Sequence, residues 1–335
     1  MPESALRGRV LTRPAFLASI CAGLAVRVAL VLVHPLYLTD VSYYDVQAVQ
    51  HLLRGVDPYG AYYSAPPSLA TPGAAEVFAY LPGVFSFIAP AGALSATSLG
   101  VVASDLVAAL SIRLLGPRGA LPSLAYFLFP PVVLFSTYFV NDSLPAIAFA
   151  AAAMAAEANG RPNASGVLWG LAFGSSVEAW LAFPFFAAYS LRRGRASPPI
   201  LAVLTAAAVV LPFLAWSPGA FIHDTLLFQF QRPPVPFLYL GPFGTSLNPS
   251  LQGILVSLGS SAPLALRGLL VLVALGALLW RFDWSLRGLA LRSAYFSALS
   301  LFLLPGVAFW SYFELPLMFF AAWYALRGAE RLAKA

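Results

Sequence analysis

The densest run of side chains able to do chemistry is Thr39-Asp40-Val41-Ser42-Tyr43-Tyr44-Asp45, continued by Gly55-Val56-Asp57-Pro58-Tyr59. Two carboxylates close together among phenols suit proton transfer at a hydroxyl-bearing ligand. Asp40 fits two roles. At the start of a helix an Asp caps free backbone N–H groups; held at a membrane–water boundary it is a general base. Asp45 falls on the apolar stripe of the same segment, where a carboxylate is costly unless paired or active. Asp57, directly before Pro58, reads as turn chemistry.

Further polar groups are scattered through apolar stretches. They are Asn141-Asp142, the run Ser175-Ser176-Val177-Glu178, Phe228-Gln229-Phe230-Gln231-Arg232, and Asn248-Pro249-Ser250-Leu251. Arg232 suits an anionic headgroup or phosphate, or the plain role of an interfacial Arg reaching for water. Arg27 and Asp105 lie inside apolar segments at similar depth, which predicts an ion pair between two spans; the sharper alternative makes Arg27 a phosphate ligand. His223 and Asp224 are adjacent, but two residues do not make a metal site. Three His and one Cys give no ligand cluster with metal spacing. No Walker motif, G-x-G-x-x-G or G-x-S-x-G elbow occurs. Cys21 has no intrachain partner for a disulfide.

These residues sit in a chain of 335, 60% hydrophobic and 10% charged, with a mean hydropathy of +0.81. Soluble domains carry about 25% charged residues, so a soluble enzyme, a disordered chain and a nucleic-acid reader are excluded. The composition predicts an all-α, polytopic transmembrane helix bundle forming one domain over residues 1–335. About 20 apolar residues make a span, and basic residues mark the cytoplasmic ends. Spans are expected at 14–34, 97–115, 120–139 and 143–157. Residues 166–191 read as two short helices in a hairpin, with Ser175–Glu178 at its outer apex. The rest fall at 199–216, 265–280, 289–304 and 310–326, about ten in all, with both termini cytoplasmic.

Residues 35–96 and 217–262 then form two long outer loops. Val41, Tyr44, Ala48, Val49 and Leu52 share one helical face, which predicts an amphipathic helix over 41–54 lying on the outer leaflet. The apolar piece Leu81–Leu94, broken by Pro82 and Pro90, is too short to span and reads as interfacial or dipping. On this arrangement the net charge of +6 is an orientation signal: of the 19 basic residues, all but Arg27, Arg54, Arg232 and Arg267 are cytoplasmic. Asp40, Asp45, Asp57, Glu76, Asp142, Glu178, Asp224 and Glu314 collect on the outer side. Asp40, Asp142 and Arg232 are expected to line one outward-facing cavity.

A first span, then Thr39-Asp40-Val41-x-Tyr43, an amphipathic helix, Gly55-x-x-Pro58-Tyr59 and Phe78-Ala79-Tyr80-Leu81-Pro82 resembles the GT-C superfamily of integral-membrane glycosyltransferases. The nearest likeness is to polyprenyl-phosphate-mannose-dependent mannosyltransferases and the catalytic subunit of GPI mannosyltransferase I. Asn141-Asp142 after Phe129-Pro130-Pro131, the Gly166–Pro184 hairpin, Asn248-x-Ser250-Leu251 and Phe309-Trp310-Ser311-Tyr312-Phe313 extend it over most of the chain. The resemblance implies a GT-C-like bundle that moves a hexose, mannose by the resemblance, with inversion from a polyprenyl-phosphate donor to a glycan or glycolipid hydroxyl. It makes Asp40 the general base, and Tyr43, Asp45, Tyr59, Asp142, Glu178, Arg232, Asn248 and Tyr312 the substrate contacts.

The lipid bilayer is the expected surroundings, in a plasma membrane or an ER-type membrane in a eukaryote, with the active site on the outer face and no nucleic-acid partner. No cofactor is expected, and the resemblance leaves the use of a divalent metal open. Three positions depart from the family pattern. Ser42 stands where the GPI-type motif has a second Asp, Ser311-Tyr312 where the bacterial enzymes often carry His, and Glu178 where a Lys is common. A secondary transporter or lipid-linked-sugar flippase is the alternative. Transporters place charges near the midplane of both halves, whereas here polar residues gather at one face.

Overall fold

The computed structural model describes residues 12–33, 40–64, 77–93, 96–137, 141–228, 234–241, 244–280, 283–305, 308 and 310–332. α1 (Arg13–Val33) precedes α2 (Asp40–Leu53), a 3₁₀ turn at Pro82–Val84 and the short α3 (Phe85–Gly92). Next come α4 (Thr97–Leu114), α5 (Ala120–Phe127), α6 (Pro130–Thr137), α7 (Leu144–Ala158) and α8 (Pro162–Ser175). A 3₁₀ turn, Glu178–Ala182, leads to α9 (Phe183–Arg192), α10 (Ser197–Trp216) and α11 (Pro218–Ile222), which continues as a π turn, His223–Leu227. A two-stranded hairpin follows, β1 (Leu238–Gly241) antiparallel to β2 (Gly244–Leu247), with Leu238 opposite Leu247. The chain closes with α12 (Leu251–Ser257), α13 (Leu264–Trp280), α14 (Leu286–Leu303), a 3₁₀ turn at Trp310–Phe313 and α15 (Glu314–Leu332).

The described residues are thus helical or irregular apart from one hairpin. Among the described residues, three helices, α1, α4 and α10, are long and apolar enough to cross a membrane, and α7 and α13 are shorter apolar helices. α10 is apolar on nearly all sides and α1 on all but the side that carries Arg27, and much of that surface faces outward: Leu32 is 68% exposed and Leu204 59%. An outward face of that chemistry suits lipid rather than water.

Helices form at most of the expected positions. The main corrections concern 120–139, α2 and residues 217–262. Residues 120–139 do not make one helix: the chain breaks at Leu128-Phe129, because Pro130 and Pro131 carry no N–H for an α-helical bond to the preceding turn. α2 does not rest its apolar face on lipid. Tyr44, Ala48 and Val49 are buried in the protein, and Val49 packs so closely on α3 that a Cβ at Gly92 would lie 2.8 Å from it. Residues 217–262, expected as one long loop, hold α11, the π turn, the hairpin and α12.

α8 packs closely on α10. Gly166, Gly170 and Gly174 form one ridge on α8, four residues apart. A Cβ on Gly166 would come within 2.4 Å of the Pro198 carbonyl oxygen, and one on Gly170 within 2.5 Å of the Ala202 carbonyl oxygen. Small residues at this spacing let two backbones approach, as membrane helices commonly do. Behind α8, Trp169 stacks on Phe173 and Phe319, which ties the hairpin to α15.

Two groups of polar side chains lie at the two ends of this core. At the end where α4 and α7 finish, Asn159 meets the Leu114 carbonyl, Glu157 pairs with Arg195 at 3.2 Å, and Ser197 meets Asn163. Arg113, Arg161, Arg192 and Arg193 lie in the same terminal turns. α7, with its 15 residues, places its first turn about 22 Å away, and the other end is acidic.

Candidate functional site

The acidic end is organised by three consecutive residues, Asn141-Asp142-Ser143, which precede α7. Asn141 Nδ2 donates to Glu314 Oε2 at 2.9 Å and to the Ser311 carbonyl at 3.0 Å, while its Oδ1 accepts from the Ser143 N–H at 3.1 Å. Ser143 Oγ donates to Glu178 Oε2 at 2.9 Å. Asp142, between them, faces Asp45 on α2 within hydrogen-bonding reach. One turn therefore gathers acids from α2, the 3₁₀ turn after α8, and the start of α15.

Two carboxyl groups bond to one another only if a proton lies between them. Burial drives the Asp45 carboxyl up to about 7 from its ordinary 3.8, against the opposing hydrogen bond with Asp142. Asp45 is fully buried and Asp142 is 2% exposed. The pair thus favours one shared proton, since like charges at contact in a low dielectric repel strongly. Sequence spacing marks Asp45 as an awkward acid on an apolar stripe; its partner lies 97 positions away.

Glu314 extends the network inward. Tyr126 donates its hydroxyl to Glu314 Oε1 at 3.2 Å. Beyond Tyr126 lies the ion pair expected from the sequence: Arg27 Nη2 sits 2.7 Å from Asp105 Oδ2, both side chains fully buried. Arg27 Nε also contacts Ser136 Oγ at 3.1 Å, its Nη2 donates to the Phe127 carbonyl, and its guanidinium lies 3.9 Å over the Phe127 ring. This pair joins α1, α4 and the broken α5–α6 segment. With its donors used this way, Arg27 serves the bundle rather than a phosphate.

The other expected contacts fall elsewhere. Asp40 is the first residue of α2 and Tyr43 is half-buried one turn on. Tyr312 is half-buried in the turn whose Ser311 carbonyl binds Asn141. Tyr59 is buried, donates to the Tyr80 carbonyl at 2.7 Å and packs edge-on against Phe221. Asn248 is buried as a bracket: it donates to the Val235 carbonyl at 2.8 Å and accepts from the Ala308 N–H at 2.9 Å. Arg232 lies outside the described residues. Asp142, expected to line an outward-facing cavity with Asp40 and Arg232, is buried against Asp45 instead.

Asn141, Ser143 and Glu314 are the members that sequence reasoning did not assign. Their signal was a run of three polar residues between apolar segments, and an acid at the first turn of the last helix. Among the described residues, no three His, Cys, Asp or Glu side chains are grouped to hold a metal ion. Arg267 is also accounted for: its Nη1 binds the Leu304 carbonyl at 2.7 Å, closing the C-terminal end of α14. No protein-family model matches the chain, and no curated protein sequence matches it.

Proposed function

We propose that the chain is an inverting glycosyltransferase of the membrane, moving a hexose from a polyprenyl-phosphate donor to a glycan or glycolipid hydroxyl. The observation that carries the reading is the gathering of acids from three segments on Asn141-Asp142-Ser143, at the end of the bundle opposite the arginines. By the positive-inside rule the arginine end is cytoplasmic. The acidic end is then outside, at headgroup height, where a lipid-borne donor meets a water-borne or lipid-borne acceptor. About ten spans with both termini inside complete this arrangement.

A base must reach within about 3 Å of the proton that it removes. Asp45 and Asp142 are buried against each other, so they serve to fix α2 rather than to touch substrate. Asp40, at the first residue of α2 and about 7 Å along the axis from Asp45, is the base in this reading. It takes the acceptor proton; the acceptor oxygen attacks the anomeric carbon; the bond to the phosphate oxygen breaks, and phosphate leaves with the electron pair. Phosphate needs no separate acid, unlike the leaving groups of glycosidases.

A second reading has one observation in its favour. A buried carboxyl pair sharing a proton, near an intramembrane Arg–Asp pair, is also what a proton-coupled transporter uses. Proteoliposomes containing the full chain separate the two. Transfer of sugar from a polyprenyl-phosphate hexose to an outer glycan, without solute uptake, supports the transferase. Proton-driven sugar uptake with no transfer from any such donor supports the transporter.

A further inference from the structure

A second polar arrangement lies apart from the acidic turn, where the two outer loops meet. A cleft of about 600 Å³ is lined by Gly60, Tyr62 and Val77 from the first loop and by Gly219, His223 and Asp224 from the second. The cleft is shallow and open to its surroundings.

Its walls are fastened. The Gly60 N–H donates to Asp224 Oδ2 at 2.9 Å, across 164 positions. Ser217 Oγ donates to Asp57 Oδ2 beside it. Gly60 has φ +72°, and a Cβ there would meet the Ala220 Cβ at 2.7 Å, so only glycine fits. Asp57, read from sequence as turn chemistry, accepts from the Tyr59 N–H at 2.9 Å and also holds the second loop through Ser217.

Asp224 is 2% exposed and holds the adjacent imidazole, with His223 Nδ1 2.8 Å from its Oδ1. In the neutral ring that contact fixes the proton on Nδ1 and leaves the Nε2 lone pair as an acceptor. The His223 side chain is 49% exposed, and Tyr62 is 70% exposed beside it.

We propose that this cleft is a carbohydrate subsite that receives the acceptor glycan. No Lys or Arg is among its lining residues, and the carboxylates of Asp57 and Asp224 repel phosphate. The groups presented, Nε2 and the remaining lone pairs of Asp224, are acceptors, which select a donor-rich ligand that carries no negative charge. Sugar hydroxyls supply the donors, and the Tyr62 ring supplies a face for the apolar side of a pyranose. The inference rests on the transferase reading only in calling the sugar an acceptor.

The test is saturation-transfer NMR on the full chain in nanodiscs, with methyl α-mannoside and mannotriose as probes. Saturation is expected for the wild type, and binding about tenfold weaker in Tyr62→Ala and in His223→Ala, with unchanged thermal unfolding. Sugar binding that both variants leave intact overturns the proposal, as does no sugar binding at all. Displacement of the probe by inorganic phosphate overturns the ligand class. If the sugar binds in this way but no polyprenyl-phosphate hexose is ever transferred, the transferase reading fails and the subsite stands. Transfer whose acceptor KM is unmoved by both variants overturns the subsite and leaves the transferase.

Discussion

Asp45 of α2 and Asp142 of the turn before α7 bring two carboxyl groups within hydrogen-bonding reach of each other in the protein interior. The contact fastens the amphipathic helix of the first loop to the residues that also bind Glu178 and Glu314. It requires a proton, and so makes the first loop's attachment sensitive to pH.

The sign of that sensitivity follows from the raised Asp45 carboxyl. Between about 3.8 and about 7 the folded chain keeps a proton on Asp45 that the unfolded chain has released. Stability therefore falls as pH rises through that window, and levels off above it. Thermal unfolding in detergent across this range is expected to show the fall for the wild type and a flatter profile for Asp45→Asn, which keeps the shape and carries no charge. Equal slopes in both proteins would contradict the shared proton.

The Arg27–Asp105 pair predicts a different pattern. Removing one member of a buried pair strands a charge and costs about 3–5 kcal/mol, whereas replacing both by apolar groups of similar volume is close to neutral. Arg27→Met and Asp105→Leu are each expected to be strongly destabilising, and the double variant to recover most of the loss. A double-mutant cycle of unfolding free energies reads this directly.

Asn141 is the joint of the acidic turn. Asn141→Ala removes the bonds to Glu314, Ser311 and Ser143, leaving buried Glu314 short of a donor, at a cost of about 1–3 kcal/mol. Transfer activity is expected to fall with little change in donor KM, because the last outer turn loses its anchor. An Asn141→Ala protein with wild-type turnover would show that the turn does not position the site.

The α8 ridge gives a packing test. Gly170→Leu drives a side chain into the Ala202 carbonyl and Thr205 and is expected to cost about 1–3 kcal/mol from overpacking. Gly268→Leu on α13, where a Cβ meets nothing within 4 Å, is the matched control and is expected to unfold as the wild type does. Comparable losses in the two would remove the close α8–α10 approach as the cause.

Some of this was legible in the residues themselves. The face Val41–Tyr44–Ala48–Val49–Leu52 marked α2. Arg161 before the 166–191 hairpin, and Arg192, Arg193 and Arg195 after it, marked its ends. Arg27 and Asp105 announced their pairing because an unpaired charge is costly at that depth. The break at Pro130 was missed because apolar content continues unbroken across it, so hydropathy reads one span where hydrogen bonding permits two short helices. The Asp45–Asp142 contact was missed for a deeper reason. Two like charges are expected to avoid each other, and only the burial of both, a tertiary fact, makes a shared proton the cheaper state. Gly166, Gly170 and Gly174 carried a readable spacing, but their partner helix follows only from the fold.

The central claim is that α2 presents Asp40 as the base for sugar transfer at the acidic end. It is tested most directly with membranes containing wild type or Asp40→Asn, incubated with radiolabelled polyprenyl-phosphate mannose and an outer glycan acceptor. The account predicts transfer by the wild type and a loss of about 10²–10⁴-fold in the variant, with unchanged expression and thermal unfolding. Transfer that survives in Asp40→Asn at the wild-type rate would contradict it.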